Sequence, residues 1–243
     1  MRFDLAEVAQ ALPSASGCQK RTEWVAELVN ARVQLASVEE SAADSAGMSP
    51  YRAVPIIQSR LRSDAIVVAD CGANLCWVYQ SWGPGDQQIF TAGGNSPMGY
   101  ALPAAIGAQI AQPDRQVVCF IGDGGLQMNI QELQTIVHYQ LPINIVILNN
   151  NGYGIIKQFQ DAYFEGRYHA TGRGYSQPDF EKIAGAYGIE YTKISTITEL
   201  DNLDIKDGPG LIDIWLPEDS SIIPKAEMDR FLHDQFPYGD SAP

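Results

Sequence analysis

Two apolar runs of strand length, QVVCFIG and NIVILNN, lie on either side of one helix-length segment, and this spacing constrains the fold more than any other feature. Two strands joined by so long a connection pair in parallel, with a helix over 131–139 crossing one face of the sheet. The crossover of such a unit is right-handed. Each run ends in polar residues, Gly122-Asp123 after the first and Asn149-Asn150 within the end of the second. Asp123 and Asn150 are therefore predicted at the carboxyl ends of neighbouring strands, where an open α/β sheet binds ligands.

The chemistry of these ends follows from the residue types. Gly124 and Gly125 permit positive φ and leave backbone N–H groups open at the mouth of the turn, which suits a phosphate. Asp123 offers a hard carboxylate oxygen, Asn150 an amide oxygen, and the turn after it a backbone carbonyl near Gly152. With phosphate oxygens and a water, this set completes the octahedral oxygen shell that Mg²⁺ demands. The expectation is a metal clamping a diphosphate. A dinucleotide-binding turn is the weaker alternative, because Gln127 stands where the third glycine of G-x-G-x-x-G belongs and the next strand ends in Asn.

Gly122-Asp123-Gly124 followed by Asn149-Asn150, one helix and one strand later, resembles the diphosphate-binding motif of thiamine diphosphate (ThDP) enzymes. Within that family the chain resembles the acetolactate synthase branch. The resemblance implies a doubly wound α/β fold, a mostly parallel sheet with helices on both faces. It implies ThDP and Mg²⁺ as cofactors, with Asp123, Asn150 and the Gly152 carbonyl as metal ligands. The cofactor-binding set it implies is Gly72, Ala73, Asn74, Ser96, Met98, Gly122, Asp123, Gly124, Gly125, Asn150, Gly152 and Tyr153.

Two stretches outside the metal motif carry the same resemblance. In CGAN the family approaches the diphosphate from the other side; Gly72 fits that role, while Ala73-Asn74 stands where relatives carry Gln-His. Asn74 is left between donating to a phosphate oxygen and serving as an ordinary turn residue. In TAGGNSPMGYALPAAIGAQIA, Gly93 and Gly94 predict a tight bend and a helix from about Met98 carries small residues for close packing. In the family the residue at Met98 wedges between the two cofactor rings, and the Ser96 backbone accepts from the aminopyrimidine. A bulky unbranched thioether suits a wedge; core packing is the plain alternative.

Ile156 bears on reaction type. Aldehyde-releasing decarboxylases have a carboxylate at the matching position, whereas the acetolactate synthase branch has an apolar residue. Ile156 transfers no proton, so the expectation leans toward carbon-carbon bond formation. Lys157, Gln158 and Gln160 are candidates to face an acceptor, with solvated helix residues the commoner case. His169 in the loop after this helix is a weaker candidate, and His138 and His233 weaker still.

Composition agrees with one α/β domain plus tails. With 45% hydrophobic residues over 243, the chain can bury a large core and has no apolar run of membrane length. A net charge of −13 argues against nucleic acid or an anionic membrane as partner. Cys18, Cys71, Cys76 and Cys119 form no C-x-x-C pair, and MRFDLAEVAQALPSAS lacks the apolar centre of a secretory signal, so a cytoplasmic protein with reduced thiols is expected.

The expected organisation is a helical extension or linker over 1–45, the ThDP-binding PP domain over 46–220 and a tail over 221–243. DLAEVAQAL and RTEWVAELVNARVQLASVEESAA read as amphipathic helices of the first part. The domain opens on Ser49 as a helix cap with Pro50 in the first turn, continues to the buried strand AIVVAD, and closes with a helix stopped by Gly188, a strand, the short helix ITELDNL and the last strand PGLIDIWL. Both late strands are expected to be buried in the sheet. The tail RFLHDQFPYGDSAP reads as extended or frayed.

In the resembling enzymes a glutamate from a separate pyrimidine-binding (PYR) domain activates the cofactor, and no motif of that domain occurs here. No catalytic acid is assigned to this chain. The expectation is a split enzyme: this chain is the diphosphate-binding subunit, a PYR-domain subunit supplies the glutamate, and the assembly is a heterotetramer or larger. Its substrates would be a 2-oxo acid, pyruvate first, and an acceptor carbonyl, with Ile156 and Lys157 on the substrate side. Alternatives are a split decarboxylase releasing an aldehyde, a non-catalytic ThDP-binding subunit, or an excised part of a longer enzyme.

Overall fold

The computed structural model describes residues 24, 26–30, 48–230 and 235–236. The chain divides into two compact units, Met1–Glu40 and Ser41–Pro243. In the first, the described residues of the longer expected helix are helical; the shorter one, DLAEVAQAL, lies outside the described residues.

The second unit opens with α1 (Pro50–Arg60), whose Ser49 hydroxyl accepts from the Tyr51 N–H while Pro50 occupies the first turn. This is the cap that the sequence predicts. Then follow β1 (Ile66–Ala69), α2 (Ala73–Ser81), β2 (Gln88–Phe90), α3 (Ala101–Ala111), β3 (Val117–Gly122), α4 (Asp123–Met128), a 3₁₀ turn (Ile130–Glu132), α5 (Leu133–His138), β4 (Ile143–Asn149) and α6 (Gly154–Tyr163). After a long loop come α7 (Phe180–Tyr187), β5 (Glu190–Ile194), α8 (Ile197–Asp201), β6 (Gly210–Trp215), and the short strands β7 (Lys225–Ala226) and β8 (Gln235–Phe236). Gly188 ends α7 in the left-handed conformation at φ 72°, the stop its position implies.

Six strands form one sheet in the order β2-β1-β3-β4-β6-β5, and every pairing is parallel. Alternate strand residues face opposite sides, so two cores form. On one face Val67, Val118, Phe120, Val146 and Leu148 pack with Val54, Ile57, Trp77 and Leu200 from α1, α2 and α8. On the other, Val68, Cys119, Ile121, Ile145 and Ile147 pack with Leu102, Leu126, Leu133 and Ala184 from α3, α4, α5 and α7. The fold is thus the doubly wound α/β sheet.

Three local expectations need correction. The segment after β3 is helical from Asp123 onward, so Gly124 and Gly125 lie in a helix rather than in a positive-φ turn. The helix of the second signature starts at Ala101, not near Met98. β5 is not buried: it is the sheet edge, with Glu190 and Lys193 exposed, and the Tyr191 hydroxyl donating to Asp213. β2, too short and too polar to announce itself, forms the other edge. In the tail, the described pair Gln235 and Phe236 is antiparallel to β7.

The sheet order reverses between β1 and β3. From β1 the chain turns to α2 on one face, and from β3 it turns to α4 on the other. The two departures open a crevice beyond the strand ends, the place where doubly wound sheets bind ligands.

Candidate cofactor site

A cavity of about 370 Å³ occupies that crevice. Its walls are the ends of β1, β3 and β4 with the first turns of α2, α4 and α6. Every residue of the expected cofactor set lines it: Gly72, Ala73, Asn74, Ser96, Met98, Gly122, Asp123, Gly124, Gly125, Asn150, Gly152 and Tyr153. Ile156 lines it as well.

Asp123 begins α4 directly after β3 and is buried. Its Oδ2 accepts the Gly152 N–H at 3.1 Å and the Tyr175 hydroxyl at 2.5 Å. Burial pushes the carboxyl up to about 6, opposed chiefly by the Tyr175 hydrogen bond. A cation beside it would restore the charged form. Asn150, buried at the end of β4, has an amide nitrogen with no hydrogen-bond partner. Such an orphan is costly unless something outside the chain engages that side chain.

The glycines act by close approach rather than by φ. A Cβ on Gly124 would lie 2.4 Å from the Tyr153 ring, one on Gly125 2.3 Å from Asp70 Oδ2, and one on Gly152 2.7 Å from the Thr171 carbonyl. A Cβ on Gly122 would meet no protein atom within 4 Å and would stand in the cavity instead. Gly72 alone of the set needs its freedom, at φ 81° before α2.

These residues fit a metal and a diphosphate. Among the described residues no three His, Cys, Asp or Glu side chains cluster to chelate an ion. The oxygen donors are instead the buried Asp123 carboxylate, the Asn150 amide oxygen and the Gly152 turn, which leave places for phosphate oxygens and water, while the unpartnered Asn150 N–H group is free to donate to a phosphate.

Two expected site residues do something else. The Asn74 amide donates to the carbonyls of Asp70 (3.3 Å) and Phe120 (3.1 Å), tying the ends of β1 and β3 together. Both of its N–H groups are spent there, so it offers none to a phosphate. Lys157 turns away from the cavity: its Nζ donates to the Glu218 carbonyl at 3.1 Å and sits 5.5 Å from the Tyr168 ring centroid. Gln158 is likewise tied to the Ile222 backbone, Gln160 accepts from Thr171, and His169 bridges to Arg173 outside the cavity. Ser96 takes φ 44° at the rim, and Met98 is 39% exposed there, which removes core packing as its role.

Several residues of the site escape sequence reasoning. Asp70 directly follows β1 and accepts from Gly99 and Ala101; a lone acidic residue ending the apolar run AIVVAD is the signal that marks it. Cys71 and Ile155 line the cavity, and Gly99 has φ 81° with Met128 and Asn129 pressed against it. Tyr175 arrives from a loop 52 residues beyond Asp123 and had no local signal.

Comparison with known proteins accounts for this arrangement. Residues 70–214 match the family model of the thiamine pyrophosphate enzyme C-terminal TPP binding domain, thiamine pyrophosphate being another name for ThDP. The acetolactate synthase large subunit of Lactococcus lactis is 36% identical over 179 residues, covering 72% of this chain and 31% of the relative. That of Parasynechococcus marenigrum is 42% identical over 135 residues, covering 56% and 22%. The acetolactate synthase isozyme 1 large subunit of Escherichia coli is 32% identical over 223 residues, covering 89% and 39%. The chain therefore spans between 22% and 39% of these relatives' length. On the family match and the cavity it encloses, the chain belongs to the thiamine pyrophosphate enzymes and carries their acetolactate synthase-like C-terminal ThDP-binding domain.

Proposed function

We propose that this chain is the diphosphate-binding subunit of a split ThDP-dependent enzyme that decarboxylates a 2-oxo acid, pyruvate first, and transfers the acyl-anion equivalent to an acceptor carbonyl. The observation that carries the reading is the lining of the cavity: oxygen donors for a metal on one wall, Ile155 and Ile156 on another, and no glutamate among the lining residues. The names of the relatives, acetolactate synthase large subunits, support the same chemistry.

Asp123, Asn150 and the Gly152 carbonyl would hold Mg²⁺ and, through it, the diphosphate. Met98 would pack between the cofactor's rings, with the Ser96 carbonyl accepting from the amino group. Bound ThDP supplies the electron sink for decarboxylation. Ile156 offers the site no proton, which favours an acceptor carbonyl over protonation. The activating glutamate comes from a PYR-domain subunit, in a heterotetramer or larger assembly.

Among the described residues no helix is long and apolar enough to cross a membrane, and Cys71, Cys76 and Cys119 are unpaired. Free thiols support a cytoplasmic setting.

The test is reconstitution. The chain is purified alone and with a polypeptide carrying a PYR domain, and pyruvate consumption is followed with ThDP and Mg²⁺. Turnover only in the mixture is expected; turnover by the chain alone would refute the split arrangement. Product analysis with and without an added carbonyl acceptor separates carboligation from aldehyde release.

A further inference from the structure

We infer that Tyr175 is a positioning residue for the metal site: it fixes the Asp123 carboxylate so that Oδ1 is the oxygen presented to the cation. This rests on the metal reading given above.

The hydrogen bonds that reach the Asp123 carboxylate from other elements, from the Tyr175 hydroxyl and the Gly152 N–H, both fall on Oδ2. An sp² carboxylate oxygen accepting two such bonds has its lone-pair directions occupied. The cation is left Oδ1. The Tyr175 hydroxyl is itself oriented, since Gln127 Nε2 donates to it at 3.1 Å and so directs its proton toward Asp123. Gln127 stands one turn along α4 from Asp123, so carboxylate, hydroxyl and amide form a closed arc on one helix end.

The loop that brings Tyr175 also grips the opposite side of the site. The Thr171 carbonyl accepts the Tyr153 N–H at 3.1 Å and abuts Gly152, and the Thr171 hydroxyl donates to Gln160 at 2.6 Å. The Tyr175 ring packs edge-on against Tyr153 with centroids 4.9 Å apart. One segment, residues 171–175, therefore holds both the carboxylate of α4 and the turn that carries the Gly152 carbonyl. Residues that orient a metal ligand without touching the ion typically change metal affinity by about 10- to 100-fold when removed.

Tyr175→Phe deletes the hydroxyl and keeps the ring on Tyr153. Binding of Mn²⁺ in the presence of ThDP is measured on the intact chain by the loss of the free-ion electron paramagnetic resonance signal, well below the thermal midpoint. The expected result is Mn²⁺ affinity lowered about 10- to 100-fold, with the metal-free thermal midpoint close to that of the parent. Gln127→Met, which leaves Tyr175 in place but unoriented, should lower affinity less and in the same direction, and it serves if Tyr175→Phe does not fold. Parent-like Mn²⁺ affinity in these variants overturns the inference while leaving the metal site standing. A parent chain that takes up no Mn²⁺ with ThDP overturns the metal reading and this inference with it.

Discussion

The carboxylate of Asp70, closing β1, accepts the backbone N–H of Gly99 at 3.0 Å through Oδ2 and that of Ala101 at 3.1 Å through Oδ1. This single side chain secures the segment that carries Ser96 and Met98 to the sheet. Replacing it strands two buried N–H groups, each worth about 1–3 kcal/mol when left unpaired. Asp70→Ala should lower stability by about 2–4 kcal/mol, read as a shifted urea midpoint. ThDP affinity should fall with it, because the rim that holds Met98 is released.

Cys71 stands beside Asp70 on the cavity wall. Burial, then the Asp70 charge, pushes its thiol up to about 11. The thiolate is the reactive form, so alkylation should be slow at neutral pH and should accelerate with rising pH up to that value. At pH 7.5 the rate should be roughly 10- to 100-fold below that of an ordinary exposed thiol, the thiolate deficit being partly offset by its greater nucleophilicity. Peptide mapping after timed treatment with iodoacetamide measures this, and added ThDP with Mg²⁺ should protect Cys71 further.

The two glycines of the motif should separate binding from stability. Gly124→Ala drives a methyl into the Tyr153 ring, 2.4 Å away, and should cost about 1–3 kcal/mol of stability. Gly122→Ala meets only the cavity. It should unfold near the parent's midpoint yet bind ThDP at least about tenfold more weakly, since the methyl takes space that the diphosphate needs, a loss of about 1.4 kcal/mol or more. Calorimetric titration of ThDP in Mg²⁺ compares the two, and parent-like binding by Gly122→Ala would place the diphosphate elsewhere.

Ile156→Glu tests the reaction type. It puts a proton-transferring group on a wall that now has none, so the reconstituted enzyme should shift from carboligation product toward free aldehyde. Gas chromatography of products with the acceptor held constant reads the ratio; an unchanged ratio would remove Ile156 from the argument.

Removal of divalent metal should abolish tight ThDP binding. The Asp123 carboxylate and the diphosphate repel each other when no cation lies between them. Chelator-treated chain should show no ThDP-dependent rise in thermal midpoint, and Mg²⁺ should restore it.

What the sequence makes legible is local. The strands β3 and β4, the Ser49 cap, the Gly188 stop and the placement of Asp123 and Asn150 at neighbouring strand ends all lie within a few residues of their own signals. The sequence leaves the roles of Asn74 and Lys157 open because they depend on partners far along the chain: Phe120 is 46 residues from Asn74, and Glu218 is 61 from Lys157. Tyr175 was silent for the same reason. β5 reads as a buried strand on its apolar residues, and only the sheet order makes it an edge. In sequence Gly124 and Gly125 stand out for conformational freedom, whereas the folded chain requires them for the closeness of Tyr153 and Asp70.

β3 and β4 pair in one register, with Gly122 opposite Leu148, and that pairing sets Asp123 across from the turn after Asn150. Were the strands to pair one residue out of step, the alternating side chains of the slipped strand would change faces and Asp123 and Asn150 would shift relative to each other by about 3.3 Å. A cation that needs both would then find neither geometry. A ligand that bound only the aligned sheet would favour that register over its neighbours by mass action.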